Sequence, residues 1–379
     1  MAQSRAERLI RDLVGHAGVD IGGSRPWDIE VHDPRFYGRV LRDGTLGLGE
    51  SYMDGWWDVD HLDDLVCRLR KVRIDEKVKF NWRTLSLVAA ERLFNRQRKS
   101  MASVVGERHY DLGNDLFRAM LDRRMVYSCA VWDGADTLDQ AQERKLELTC
   151  RKLGLESGMT MLDIGCGWGS LAKYAAETYG VSVVGINNSR EQIALGGEFC
   201  AGLPVELRYQ DYRDVEGLFD RVVSIGMFEH VGVKNYRTYM QVVGRCLRKD
   251  GLFLLHTIGG NEPSRHLDSW TEKYIFPRGV LPSVSQIALV SEGRFVMEDW
   301  HNLSVNYEKT LLAWYDNFRR NWPGIRAAYG DRFYRMWTFF LLSCAGSFRA
   351  RSLQLWQIVF SKCGVPGGYR PLRWTQDAI

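Results

Sequence analysis

The sequence predicts an α/β fold: a mostly parallel sheet with helices on both faces, preceded by a small N-terminal mixed or helical domain. Three observations point there. Short apolar runs alternate with helix-length segments from about residue 135 onward, a glycine-rich turn follows the first of those runs, and the character of the chain changes near residue 110. With 379 residues, 45% hydrophobic and 26% charged, and 37 Gly against only 9 Pro, the chain has the profile of a folded globular protein with room for two domains. Its 51 basic and 47 acidic residues nearly balance, so the chain as a whole does not read as a nucleic-acid binder.

In chain order, residues 5–17 carry helical apolar spacing, Asp28 to His32 reads as a strand and Pro34 to Val40 as the start of a helix. Leu46 to Asp58, LGLGESYMDGWWD, reads as turns and loop around a tryptophan anchor because glycines stand at 47, 49 and 55. Between Arg68 and Lys99 eleven basic residues face three acidic ones, and Trp82 to Phe94 within this stretch has the spacing of an amphipathic helix. Such a patch is either a solvated helical face or a surface attracted to anionic phospholipid headgroups.

Thr137 to Leu153 is predicted helical, with Thr137 and Gln140 in capping-box spacing. Strands are predicted at Thr160 to Ile164, Val181 to Ile186, Val205 to Tyr209, Arg221 to Ile225 and Leu252 to His256, with helices over 170–179, 189–201 and 235–248. In such a sheet ligands bind at the carboxyl ends of the strands. Residues 259–293 break the rhythm with glycines and prolines and read as an insertion that caps the site. Helices at Tyr307 to Asn321 and Ile325 to Phe348 and a strand at Leu353 to Ser361 complete the chain.

No uncharged run approaches the roughly 18 apolar residues needed to span a bilayer, and the N-terminus lacks the apolar stretch of a signal peptide. A cytoplasmic protein is predicted. The eight cysteines include no C-x-x-C pair, so neither a zinc site nor a disulfide framework is indicated and no metal is expected.

The turn Asp163-Ile164-Gly165-Cys166-Gly167-Trp168-Gly169 sets an acidic residue at a strand end and glycines at alternate positions, which lets a ligand approach the backbone. A dinucleotide fingerprint is disfavoured: Ser170 occupies its last glycine position, and Asn187-Asn188 stands where a ribose-binding acid belongs. The LDIGCGWG form instead resembles the first motif of class I S-adenosylmethionine methyltransferases. Gln210 to Asp214 then falls where such enzymes contact adenine.

Several motifs together resemble the cyclopropane-fatty-acyl-phospholipid synthase family: LGLGESYMDGWWD, HYDLGNDLF (109–117), YSCA (127–130), LDIGCGWG (162–169), QDYRD (210–214), GMFEHVG (226–232), LLHTIG (254–259), YIFPRGVLPS (274–283) and VMEDWHN (296–302). The resemblance runs over nearly the whole chain. It implies a class I methyltransferase domain over 109–379, a lipid-associated domain over 1–108, and transfer of a methylene from S-adenosylmethionine to the cis double bond of an acyl chain in a membrane phospholipid. The resulting carbocation would be deprotonated by a bound bicarbonate. It further implies a homodimer lying peripherally on the inner face of the membrane, with no nucleic-acid partner.

Carried over position by position, the bicarbonate cradle would be Cys129, Glu229, His256, the backbone of Ile258, and Tyr307. Cys344 is a tunnel-lining candidate or a buried helix cysteine, and His230 reads more readily as structural than as a partner of Glu229. The cofactor set would be Tyr127, Ser128, Asp163, Gly165, Cys166, Gly167, Asn187, Gln192, Asp211 and Tyr212. Asn187 stands where the family usually has Thr, which leaves the contact there open.

Overall fold

The computed structural model describes residues 4–74 and 113–373. They form two compact units that interleave along the chain: residues 4–74, 267–277 and 311–353 in the first, residues 113–266, 278–310 and 354–373 in the second. The sequence reading placed a single boundary at residue 108; later segments instead return to the first unit. The amphipathic stretch Trp82 to Phe94 and most of HYDLGNDLF lie outside the described residues.

The first unit opens with α1 (Arg5–Gly15), β1 (Glu30–Val31), α2 (Arg35–Asp43), α3 (Thr45–Met53), β2 (Trp57–Asp58) and α4 (Leu62–Lys71). The strand expected at Asp28 to His32 is only two residues long and pairs antiparallel with β2. The tryptophan anchor is present: Trp57 is fully buried among Phe36, Tyr52 and Phe339, and its indole N–H donates to Leu48 O and Ser51 Oγ, both at 3.1 Å. The loop expected around it is the helix α3. A helical glycine costs about 1 kcal/mol relative to Ala, and close packing is what these two provide. A Cβ at Gly47 would stand 2.4 Å from Arg39 O, and one at Gly49 would stand 2.3 Å from the Trp270 ring.

The remaining described residues form α5 (Asn114–Met120), α6 (Leu138–Lys152), β3 (Thr160–Ile164), α7 (Ser170–Tyr179), β4 (Ser182–Asn187), α8 (Arg190–Phe199), β5 (Val205–Tyr209), β6 (Phe219–Ile225), α9 (Tyr236–Cys246), β7 (Leu247–Gly260), α10 (Ser269–Tyr274), α11 (Val284–Ser291), β8 (Val296–Asn302), α12 (Ser304–Arg349) and β9 (Leu353–Ser361). The strands make one seven-stranded sheet in the order β5-β4-β3-β6-β7-β9-β8. β3 to β7 pair in parallel, while β8, which the sequence reading did not mark as a strand, forms an antiparallel edge against β9.

Strand residues alternate between two buried cores, as the pleat requires. Val222, Phe253 and Ile358 join Tyr236 and Tyr239 of α9 on one side; Val223, Leu254 and Val359 join Leu146 of α6 and Leu171 of α7 on the other. Helices therefore cover both faces of this sheet, the predicted layer order of a class I methyltransferase.

Thr137 caps α6 as its spacing suggested, accepting from the Gln140 N–H, although the Gln140 side chain accepts from Asp136 N–H rather than closing the box. The insertion at 259–293 proves partly regular: β7 runs on to Gly260, and α10 and α11 follow. The two late helices are merged as α12, with Pro323 carried inside and the break at Gly330, whose φ of 75° suits glycine alone. Among the described residues no helix is long and apolar enough to cross a membrane.

Candidate active site

The site lies in the second unit, at the carboxyl ends of β3, β4, β6 and β7. Gly165, Gly167 and Gly169 all have positive φ (88°, 56° and 79°), which other residues adopt only at a cost. A Cβ at Gly165 would lie 2.7 Å from the Met227 side chain. The turn is tied to its neighbour by two N–H groups, those of Gly165 and Cys166, both donating to Ile186 O.

A second loop meets this turn. The buried Asp122 carboxylate accepts from the N–H groups of Arg124 (3.0 Å) and Val126 (2.9 Å), and the tight wrap holds Met125 at a φ of 58°. That local strain carries Tyr127 and Ser128 to the mouth of the glycine turn. One cavity results, and Tyr127, Ser128, Asp163, Gly165, Cys166, Gly167, Asn187, Gln192, Asp211 and Tyr212 all line it. The Asn187 amide donates to Gln192 Oε1 at 2.6 Å, so the two side chains brace each other. Asp211 accepts from Arg213 N–H through Oδ1, while its Oδ2 is buried with no hydrogen-bond partner, and the buried Tyr212 hydroxyl neighbours the Arg213 side chain. A buried oxygen without a partner marks where a polar ligand fits.

The cavity also has a lining residue that sequence reasoning missed. Lys145 is fully buried on α6 and donates to Ser128 Oγ at 3.1 Å. Burial pulls its pKa down to about 8, and burial pushes that of Asp163 up to about 7, with the Lys145 charge opposing the latter. The signal was available: Gln142, Lys145, Thr149 and Lys152 repeat at the period that buries one face of a helix, and all four are inaccessible.

The proposed cradle residues come from four separate segments. Glu229 sits in a 3-10 turn directly after β6, where Phe228 stacks on Tyr236 with ring centroids 4.2 Å apart. Its backbone carbonyl accepts from Val280 N–H, and its Oε1 accepts from Ile258 N–H at 2.7 Å. Its Oε2 is buried with no partner at hydrogen-bond geometry; desolvation raises the carboxyl to about 7, with the Ile258 N–H and the neighbouring Thr257 hydroxyl opposing that rise. His256 lies on the same face of β7 as Ile258. Its Nδ1 is 3.3 Å from Gln357 Nε2, its Nε2 is buried without a partner, and burial with the charges of Lys145 and Lys152 holds its pKa well below the ordinary value.

Cys129 is fully buried, with its thiol pushed up by desolvation and donating to Ala130 O at 3.2 Å. Its loop is anchored to the start of α12: Ala130 N–H and Trp132 Nε1 donate to Thr310 Oγ1, and Trp132 N–H donates to Asn306 Oδ1. The buried Tyr307 sits on that same turn. A thiol so far from ionisation is no nucleophile at neutral pH. His230 lines the cofactor cavity, buried, with its pKa lowered to about 4 by desolvation. Cys344 belongs to the first unit, partly exposed on α12.

Comparison with known proteins shows the family and the fold. Residues 96–358 match the family model for mycolic acid cyclopropane synthetase. The chain is 53% identical to the cyclopropane-fatty-acyl-phospholipid synthase of Escherichia coli K12, covering 97% of this chain and 96% of that protein. It is 34% identical to a probable fatty acid methyltransferase of Pseudomonas putida, over 94% and 92% of the two chains. Among solved structures, the mycolic acid cyclopropane synthase CmaA1 complexed with SAH and CTAB superimposes with a TM-score of 0.65 at 33% identity, covering 69% of this chain and 98% of that one. By the extent of the family match and the identity sustained along nearly all its length, the chain belongs to the mycolic acid cyclopropane synthetase family.

Proposed function

We propose that this enzyme transfers a methylene from S-adenosylmethionine to the cis double bond of an unsaturated acyl chain in a membrane phospholipid, closing a cyclopropane ring, with a bicarbonate ion held beside Glu229 as the base. The observation that carries this reading is a pair of buried polar atoms without partners, Glu229 Oε2 and His256 Nε2, at the ends of adjacent paired strands. Leaving such atoms unpaired costs free energy, and a small hydrogen-bonding anion would satisfy both.

The chemistry sets the requirements. The alkene takes the sulfonium methyl, the carbon–sulfur bond breaks, and S-adenosylhomocysteine leaves. The cation left on the acyl chain then loses a proton from the added methyl as the second carbon–carbon bond closes the ring. Bicarbonate, when bound, supplies a base that is not a permanent nucleophile of the protein. The chain's own residues do the rest. Ile258 N–H fixes Glu229 through Oε1 and leaves Oε2 to accept a hydrogen. The cysteine next to the site stays protonated, so it does not trap the cation. Asp163, the glycine turn, Gln192 and Asp211 line the cavity proposed for S-adenosylmethionine.

The test is to incubate the purified protein with S-adenosylmethionine and vesicles of a monounsaturated phospholipid, then identify the fatty-acid esters by gas chromatography and mass spectrometry. A ring product supports the reading. A methyl branch would mean that a different proton is lost, and unchanged acyl chains would sink the proposal.

Membrane association is part of the same proposal and rests on the basic run from Arg68 to Lys99. Neutralising Arg96, Arg98 and Lys99, which lie outside the described residues, is expected to weaken sedimentation with anionic vesicles at low salt and to matter little at high salt. Equal binding by the variant would remove this run from the argument. A homodimer is likewise proposed, from the family resemblance.

A further inference from the structure

Gln357 stands in the middle of β9, fully buried, with Ile358, Val359 and Phe360 following it into the apolar cores. An amide in such a place costs free energy unless its hydrogens are used. Its Nε2 lies 3.2 Å from Thr149 Oγ1 and 3.3 Å from His256 Nδ1. The Thr149 hydroxyl hydrogen is already committed to Lys145 O, at 2.8 Å, so toward Gln357 the oxygen can only accept. With its nitrogen on this side the amide uses both hydrogens, one toward Thr149 and one toward His256, and its Oε1 is buried without a hydrogen-bond partner.

The amide nitrogen carries two hydrogens, one for Thr149 and one for His256 Nδ1. A ring nitrogen that accepts is unprotonated, so a neutral imidazole must carry its hydrogen on Nε2. The ring is neutral, since burial and the charges of Lys145 and Lys152 disfavour the imidazolium. Nε2 is also the ring atom left buried without a partner.

We propose that Gln357 is a positioning residue that locks His256 in the Nε2–H tautomer, so that the histidine presents a donor rather than a lone pair to the anion held beside Glu229. This inference rests on the cradle reading above. Its chemical sense follows from the carbocation. A lone pair on Nε2 would repel the anion and would itself be open to alkylation by the cation, whereas an N–H at that atom anchors the anion and is inert.

The tautomer is read directly by nitrogen NMR of the full-length protein labelled with 15N-histidine, with His256 assigned through His256→Gln. The expected result is a protonated-type signal at Nε2 and an unprotonated-type signal at Nδ1. A protonated Nδ1 in the wild type would overturn the proposal, and the only variant this measurement needs is His256→Gln, for the assignment.

In Gln357→Glu the carboxylate can only accept, so the hydrogen should move to Nδ1. Ring formation should fall on the order of 10²- to 10⁴-fold, while calorimetric binding of S-adenosylmethionine is retained. Gln357→Leu, which neither donates nor accepts, should give a mixed ring signal and a smaller loss. If Gln357→Glu keeps Nε2–H, or moves the hydrogen without loss of turnover, the proposal fails. If His256→Gln itself leaves ring formation unchanged, the cradle reading has failed instead, and the NMR result separates the two.

Discussion

Glu229→Gln lowers ring formation by on the order of 10²- to 10⁴-fold while S-adenosylmethionine binding is retained, the magnitude expected when a positioned proton acceptor is removed. The substitution keeps the shape of the side chain and the acceptor that Ile258 N–H uses, so the turn after β6 should stay where it is. What it removes is the capacity of the buried Oε2 to accept a hydrogen and then a proton. With the carboxyl raised to about 7, the wild-type rate should climb with pH through neutrality as Glu229 ionises, and the variant should lack that limb. Product analysis across pH, beside calorimetry for the cofactor, checks both statements; unaltered turnover would remove Glu229 from the mechanism.

Stability should move the other way. The folded protein holds a proton on Glu229 that the unfolded chain releases between about pH 4.5 and 7, so wild-type stability falls as pH rises through that window. Gln cannot ionise. Thermal melts of the ligand-free variant should therefore lack this fall and match or exceed the wild type at about pH 8.

Asp163→Asn weakens binding of S-adenosylmethionine by roughly 10- to 100-fold, the range for losing a charge-assisted hydrogen bond in a buried site. Asp163 lies next to the end of β3, between Gly185 of β4 and Val223 of β6, and it feels the charge of Lys145, which lines the same cavity. Burial raises its pKa to about 7, so a ligand bearing a sulfonium and an ammonium must favour the ionised form. Binding to the wild type should then tighten from about pH 6 to 8 with release of a proton, and binding to the variant should be flatter over the same range. Calorimetry in buffers of different ionisation enthalpy measures both affinity and proton count. An unchanged affinity with no proton release would mean that Asp163 faces no part of the ligand.

The first nucleotide turn was legible because its determinants are local. An acid at a strand end and glycines at alternate positions need no distant partner to be recognised, whereas the loop folded over Asp122 emerged only in the structure. β3, β5 and β9 have the ends that apolar runs and turn residues marked, and all ten residues expected to hold the cofactor line one cavity. The cradle was legible only through the resemblance of motifs. Glu229, Ile258, Cys129 and Tyr307 are far apart in sequence, and no spacing rule connects them.

Tertiary structure decided everything that depends on which element arrives beside which. Glycines at 47 and 49 argued for a loop by local propensity, yet α3 forms because Arg39 and Trp270 occupy the space their missing side chains leave. β9 enters the sheet between β7 and β8, which brings Gln357 to His256 from 101 residues away. Nothing local marks Lys145 or Gln357 as more than misplaced polar residues on buried faces. The physical reason is that local sequence determines backbone conformation and which face is apolar, while the work of a buried polar side chain is set by the partner that another segment places within 3 Å or so.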